Sequence, residues 1–469
     1  MSRAARTPSR FPRRVLTVLT GAALVQASFL VAQMTSRPAY AQPSRPDIVL
    51  VITDDQRYDT LKVMPQVQRH LIRGGMQLKQ AIVTNPLCCP SRATIFTGRY
   101  SHTTGVYFNW GPHGGWDAFR PSESSTIATA LDAVGYRTGL FGKYLNGYNG
   151  VGISVPPGWD EWFAFTGTNA YYDYVMFDGF ERHPFGSEPR DYSTDVIARR
   201  AASFIRGTPA GSPLFMVVAP FAPHNPATPA PRHKGDFSGA PVHFGPAVNE
   251  RDVSDKPRFV RRQNLLDPRK LAKQQRKRWE SLLAVDDMVA RVVTALRDTD
   301  RAGNTLIIYV SDNGLMVGEH RLGKKMVPYE ESIRVPMLIR LPGRVPAGSM
   351  SSALVSNVDI APTIVDFAGA SLPTEGVSIR GVITGTSSSI RSSVVLEHLR
   401  SSSDVPTYCG VRKRRFTFVR YGTGEEELYD LARDPRQLRN IVRLRREKAR
   451  KLRSLTRSLC RPVPPRFSW

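Results

Sequence analysis

The sequence predicts an α/β fold, an open and mostly parallel sheet with helices on both faces. Two observations carry this expectation. The runs "DIVLVITDD" (47–55), "PLFMVVAPFAPH" (213–224) and "NTLIIYVSDNG" (304–314) are rich in β-branched or bulky residues and almost continuously apolar, as strands buried on both faces are. Between the second and third lies "RKRWESLLAVDDMVARVVTALRDTD" (276–300), where Trp279, Leu282, Leu283, Met288, Val289, Val292, Val293 and Leu296 recur at helical spacing. Strands that alternate with helices build a parallel sheet. No internal repeat or long low-complexity tract interrupts the pattern.

Taken in chain order, the first element is a targeting segment. A basic stretch ending in Arg13-Arg14 precedes the apolar run "VLTVLTGAALVQASFLVA", and Ala39 and Ala41 occupy the small-residue positions of a cleavage site before Gln42. Residues 1–41 are therefore read as an export signal, giving a secreted or cell-envelope protein with no stable membrane association once the signal is cut. The alternative is a retained anchor, for which the run is short and is interrupted by Gln26. The arginine pair matches part of a twin-arginine pattern, which leaves the export route open. Six arginines of this segment contribute to the formal charge of +25, and the rest of the chain is still strongly basic.

Each strand-like run ends in polar groups: Asp54-Asp55, then His224, then Asp312-Asn313. Open α/β sheets place ligands at the carboxyl ends of their strands, so three distant segments are expected to meet in one site. The oxygens of Asp54, Asp55, Asp312 and Asn313 suit a hard divalent cation such as calcium. The ordinary reading of Asp-Asp after a strand is a turn or a helix cap, and the matching Asp-Asn weighs against it.

The stretch "NPLCCPSRATIFTGRY" (85–100) places Cys88 beside Cys89, with Cys409 and Cys460 far downstream. Four cysteines cannot form a disulfide framework for a chain this long, and no second Cys or His pair follows at zinc-finger spacing. Two readings remain, buried inert thiols or one chemically special cysteine. Cys88-x-Pro90-Ser91-Arg92, followed by Thr97-Gly98-Arg99, resembles the signature of the type I sulfatases. That resemblance implies that Cys88 is oxidised to formylglycine by a dedicated generating enzyme, a transient partner, with Cys89 at the variable position. Asp54, Asp55, Asp312 and Asn313, with Cys88 itself, then correspond to the metal ligands, for one calcium per chain. Arg92, Lys143 in "GKY", His224 in "APHNP" and Lys325 in "KMVPYEESIRVP" correspond to the other site residues. Lys324, adjacent to Lys325, is the alternative for the last. Where many arylsulfatases carry a histidine after Gly-Lys-Trp, this chain has Leu145, and "GKYLNGYNG" with "CCPSR" resembles the N-acetylglucosamine-6-sulfatase and heparan sulfatase branch.

The fold implied by the resemblance is alkaline-phosphatase-like: a catalytic domain over 42–370 and a smaller domain over 371–469 with an antiparallel sheet and a basic tail. The implied chemistry also accounts for the residue types. A sulfate ester is anionic and repels nucleophiles, so a cation with Arg92, Lys143 and Lys325 must offset its charge. A hydrated formylglycine has one hydroxyl to attack sulfur and a second whose collapse to the aldehyde expels sulfate. The leaving alcohol needs a proton, from His224 or Lys325. Outside this constellation His224 reads as a structural histidine and the lysines as solvated surface groups. The expected substrate is a sulfated small molecule, sugar or glycosaminoglycan. The basic segments 256–278 and 443–457 can attract polyanions or be solvated helix faces, and no motif for nucleic acid accompanies them. A phosphodiesterase or phosphonate hydrolase of the same fold, or a non-catalytic glycan binder with unmodified Cys88, are the alternatives. Cys409 and Cys460 can pair after export.

Overall fold

Ten strands form one sheet: β1 (Asp47–Thr53), β2 (Met76–Ile82), β3 (Arg137–Gly142), β4 (Glu161–Thr166), β5 (Tyr174–Asp178), β6 (Glu181–Phe185), β7 (Leu214–Ala219), β8 (Thr305–Ser311), β9 (Met337–Arg340) and β10 (Ser349–Ser356). They lie in the order β10-β2-β9-β8-β1-β7-β3-β4-β5-β6, so the three apolar runs of the sequence are the neighbouring strands β8, β1 and β7. This is a computed structural model, which describes residues 45–149, 155–167, 170–400 and 404–469. The expected export signal, 1–41, lies outside the described residues. Pairing is parallel from β8 through β1, β7 and β3 to β4, and between β2 and β10. It is antiparallel where β9 joins β8 to β2 and where β5 and β6 extend the edge. The sheet is thus mixed, with the parallel pairing concentrated at its centre.

Alternation explains why the central strands are apolar throughout. In β1, Ile48, Leu50 and Ile52 enter one core while Val49 and Val51 enter the other. The first core is closed by the helices α1 (Cys88–Thr97) and, further along the chain, α4 (Ile360–Ala368). The second is closed by α2 (Ser193–Arg206) and α3 (Pro268–Asp298), with Leu282, Val285, Val289, Val292 and Leu296 facing the sheet. A strand with both faces covered has no solvent side on which a polar residue can sit. The helix predicted within 276–300 begins earlier than that stretch, at Pro268, where the Asp267 carboxylate accepts from the Arg269 amide at 2.8 Å.

A second, antiparallel sheet follows in sequence order: β11 (Val394–His398), β12 (Tyr408–Arg412), β13 (Phe416–Tyr421) and β14 (Glu426–Asp430). Helix α5 (Arg446–Leu459) packs Ala449 and Leu452 against Val411, Phe418 and Leu428. Cys409 on β12 and Cys460 at the end of α5 form a disulfide, with Cα atoms 6.3 Å apart. The small sheet is tied to the large-sheet region by Arg412, whose guanidinium bonds both Glu330 oxygens at 2.7 and 3.0 Å, and by Tyr329, which donates to Glu427 at 2.8 Å.

Candidate active site

Four adjacent parallel strands deliver the site from their carboxyl ends. Asp54 and Asp55 follow β1, Lys143 follows β3, the turn to His224 follows β7, and Asp312 and Asn313 follow β8. Backbone bonds continue the sheet into these turns: Asp312 N donates to Thr53 O at 3.0 Å, Asp54 N to Ala222 O at 3.3 Å and Lys143 N to Ala219 O at 2.7 Å. Gly142 sits where chains pass too closely for a side chain. Its φ is +114°, and a Cβ there would lie 2.1 Å from Ala219 O. From the other side, α1 presents Cys88 in its first turn and Arg92 one turn later, and it ends at Gly98 in the left-handed conformation.

These residues meet. Cys88 Sγ lies 3.3 Å from Asp54 Oδ1, and Lys325 Nζ is 2.8 Å from that sulfur and paired with Asp55 Oδ1. Lys143 Nζ pairs with Asp54 Oδ2 at 2.5 Å, and His224 Nε2 stands 3.6 Å from Asp55 Oδ2. Arg92, fully buried, donates from Nε to Asp312 Oδ2 and from Nη1 to Lys143 O, both at 2.8 Å, while its Nη2 has no partner among the described residues. Asn313 donates to Asp55 Oδ1 at 2.7 Å, and its own Oδ1 is buried without a partner among the described residues. Lys324 is exposed, so the side chain that enters the site is that of Lys325. Asp55 and Met326, beside the Lys325–Asp55 pair, both have positive φ, at 65° and 77°.

The cluster is strongly polarised. Burial alone would raise the Asp54 carboxyl, but Lys143, His224, Arg92 and Lys325 hold it well below the usual carboxylate range. Burial of Asp55 is outweighed in the same way by Lys325 and His224. Burial, then the Asp54 charge, push the Cys88 thiol up to about 12. Asp312 differs, being raised by burial and by Asp54 despite Arg92. Asp54, Asp55, Cys88 and His224 offer ligand atoms within 4.8 Å of one another. Asp312 stands slightly apart, its Oδ1 accepting from the amides of Asp55 at 3.1 Å and Asn313 at 2.8 Å. An oxygen-rich donor set with one buried, unpartnered amide oxygen fits a hard cation.

His224 is held by its surroundings. Nδ1 lies 2.8 Å from Asn225 O, which can only accept, so Nδ1 carries a proton and Nε2 faces Asp55. Tyr171 donates to His224 O at 2.6 Å, and Phe221 packs on the ring at 4.7 Å. Leu145 is buried in the apolar core, whereas Asn146 Oδ1 next to it is buried without a partner among the described residues. Sequence reading did not single out Tyr171, Asn225 or Arg278, and Arg278 Nη2 donates to Asn225 Oδ1 at 3.1 Å. Arg278 lies on the apolar stripe of α3, four residues before Leu282 and seven before Val285, and a cation at such a position was the signal available.

The Sulfatase family model matches residues 46–370, and the model described as N-sulphoglucosamine sulphohydrolase, C-terminal, matches 318–461. The chain belongs to the sulfatase family. It is 34% identical over 412 residues to N-acetylglucosamine-6-sulfatase of Homo sapiens, covering 83% of this chain and 72% of that one. It is 35% identical over 367 residues to the extracellular sulfatase SULF-1 homolog of Drosophila melanogaster, covering 75% of this chain and 32% of that one. The chain spans half or less of the length of the extracellular relatives it matches. Among solved structures, that of BT4656 in complex with its substrate D-glucosamine-2-N,6-O-disulfate has a TM-score of 0.76 and 26% identity, covering 89% of this chain and 97% of that one.

Proposed function

We propose that this chain hydrolyses sulfate monoesters of a sugar, using formylglycine at Cys88 and one calcium ion. The observation that carries the reading is the convergence of Cys88, Arg92, Lys143, His224 and Lys325 around Asp54 and Asp55, with unpartnered polar atoms on Arg92 and Asn313. Formylglycine, once generated, supplies an oxygen nucleophile, and calcium, when bound by Asp54, Asp55, Asp312 and Asn313, supplies charge neutralisation. Arg92 is fixed through two of its nitrogens and keeps Nη2 for a sulfate oxygen. Lys143 and Lys325 add two cations beside the reacting centre. His224, when protonated on both ring nitrogens opposite the Asp55 carboxylate, keeps its Nδ1 proton on Asn225 O and gives the Nε2 proton to the leaving alcohol.

Relatives named for N-acetylglucosamine 6-sulfate, and a neighbour solved with a glucosamine disulfate, support a sulfated sugar as the substrate. The Cys409–Cys460 disulfide supports an oxidising compartment and hence removal of 1–41 on export, with the generating enzyme acting beforehand. The division at 370/371 is part of the same proposal, supported by the ten-stranded sheet ending at Ser356 and the four-stranded sheet starting at Val394.

The test is an assay of calcium-loaded protein on N-acetylglucosamine 6-sulfate, 4-nitrophenyl sulfate and 4-nitrophenyl phosphate, with mass analysis of the peptide holding Cys88. Sulfate release from the sugar, with an aldehyde at Cys88, is expected. A dominant phosphatase activity would favour the phosphohydrolase alternative, and an unmodified Cys88 with bound but uncleaved sugar would favour the glycan binder.

A further inference from the structure

Lys325 stands at the base of a hairpin, and the turn of that hairpin is fastened by a buried ion pair that the proposed chemistry does not use. Met316 N donates to Lys324 O at 3.0 Å and Gly318 N to Leu322 O at 2.8 Å, so the arms of 315–324 pair and turn at 319–321. Just beyond, Met326 N donates to Pro86 O at 3.0 Å, which brings Lys325 up to Cys88, two residues after Pro86. At the turn, His320 and Arg321 have φ of 51° and 64°. A residue with a side chain adopts this left-handed backbone at a cost, and keeps it only where its surroundings impose it. Segment 247–251 does so. His320 N donates to Ala247 O and Asn249 N to Gly318 O, both at 2.8 Å. Arg321 donates from Nε to Glu250 O at 3.0 Å and from Nη2 to Arg251 O at 2.9 Å. His320 Nδ1 lies 2.5 Å from Glu250 Oε2, and both side chains are buried. A carboxylate only accepts, so Nδ1 carries the proton of this bond. The imidazole also packs on Tyr329, with ring centres 4.2 Å apart.

We propose that Glu250, acting through His320, is a positioning residue for Lys325. The proposal rests on the sulfatase reading and deepens it by naming what keeps this lysine against Cys88. A lysine stem is long and flexible, so the ammonium stays 2.8 Å from Cys88 Sγ and on Asp55 only while the backbone enters at a fixed place. Two paired arms alone do not fix it, because an isolated hairpin is marginally stable. The tie at the turn supplies the rest. Arg57 grips the same hairpin, donating to Leu315 O at 2.7 Å and pairing with Glu319 at 3.0 Å, but it follows Asp55 by two residues and cannot be changed without disturbing that acid. Glu250 is the cleaner handle. Besides His320, its carboxylate meets Lys256 at 3.4 Å, and Lys256 has Asp255 at 3.0 Å and Leu438 O at 2.7 Å in addition. Loss of the Glu250 carboxylate therefore falls on His320, whose buried N–H would be left unmade and whose left-handed turn would lose its side-chain anchor.

The test combines amine labelling by acetic anhydride, read by mass at Lys325, Lys143 and Lys324, with turnover of N-acetylglucosamine 6-sulfate, all on calcium-loaded protein. In wild-type protein Lys325 and Lys143, both paired with carboxylates, should label far more slowly than the exposed Lys324. Glu250→Ala should speed labelling at Lys325 by about tenfold or more, while Lys143, held on another strand end, stays protected. Its kcat should fall about tenfold or more with a smaller change in KM, because a misplaced group costs the transition state most. Glu250→Gln keeps an acceptor for the His320 proton and should restore most of both. His320→Asn tolerates the left-handed turn but is too short to reach Glu250, so it serves if Glu250→Ala does not fold. On 4-nitrophenyl sulfate, adding Glu250→Ala to Lys325→Ala should cost no further turnover, whereas a general structural role would lower it again. Unchanged labelling of Lys325, or an equal rise at Lys143, would overturn the positioning role and leave the sulfatase reading intact. Labelling needs no turnover, so wild-type protein that releases no sulfate would sink the sulfatase reading while the protection of Lys325 still decides what Glu250 holds.

Discussion

Adjacent residues of identical type have different surroundings at positions 88 and 89. Both thiols are pushed up to about 12 by burial first, so neither is a thiolate at neutral pH. Cys88 faces Asp54 and Lys325, whereas Cys89 belongs to the apolar core. Cys88→Ala is therefore expected to lower kcat by about 10⁴-fold or more, while Cys89→Ala keeps measurable turnover and an aldehyde at Cys88. Steady-state rates and peptide masses check this, and normal turnover by Cys88→Ala would remove the nucleophile from the mechanism. His224 permits a second test at this scale. An aryl alcohol leaves without a proton and a sugar alcohol does not, so His224→Gln should reduce kcat/KM about 10²-fold on a sugar sulfate and far less on 4-nitrophenyl sulfate. Equal losses would mean that His224 holds the sulfate instead.

At the scale of elements, the strand ends were more legible than the side-chain geometry around them. Continuous apolar runs betrayed β1, β7 and β8 because strands covered on both faces admit few polar residues. The acids and the histidine after them could be read as a site because a parallel sheet aligns its carboxyl ends. The antiparallel strands β5, β6 and β9 gave no comparable run, being short and partly exposed in the case of β6. Lys143 depends on such a strand end. The Cβ of Gly142→Ala would lie 2.1 Å from Ala219 O, and φ is already +114°. That variant should lose at least about 2 kcal/mol of stability, with activity falling as Lys143 shifts. Thermal melts and rates measured together would show it, and a wild-type melt would contradict the close approach.

Across the whole molecule, the link between β12 and α5 and a buried histidine on β11 set the response to redox conditions and pH. The Cys409–Cys460 bond closes a separation of 51 residues, which in the chain-entropy picture contributes about 4 kcal/mol. Cys460→Ser should show a correspondingly lower urea midpoint, and the midpoint of wild-type protein should fall on reduction. His398 is fully buried, neither ring nitrogen has a partner among the described residues, and burial lowers its pKa from 6.5 to about 3. The unfolded chain then binds a proton that the folded one refuses between about pH 6.5 and pH 3. Its contribution to stability is intact above that window and is lost as pH falls through it, by up to about 1.4 kcal/mol per pH unit. Asp286 and Asp359, raised to about 6 chiefly by burial, act in the opposite sense, so the effect must be isolated by comparison. His398→Leu should remove that loss, so that relative to wild-type protein its urea midpoint changes toward greater stability on going from pH 7 to pH 5, and an unchanged difference between the two proteins would show that His398 is not the source.

The amino-acid order alone determined the fold class and the set of residues expected to gather, because strand burial and the Cys-x-Pro-Ser-Arg pattern are local properties of the chain. The tertiary structure decided between Lys324 and Lys325, since which of two adjacent lysines turns inward depends on a backbone held by distant partners. It also paired Cys409 with Cys460, and bonded Arg278 to Asn225, next to His224. No local pattern distinguishes a buried cation from one that is solvated. The difference lies in what surrounds the guanidinium, and those neighbours come from segments far before and after it in the chain.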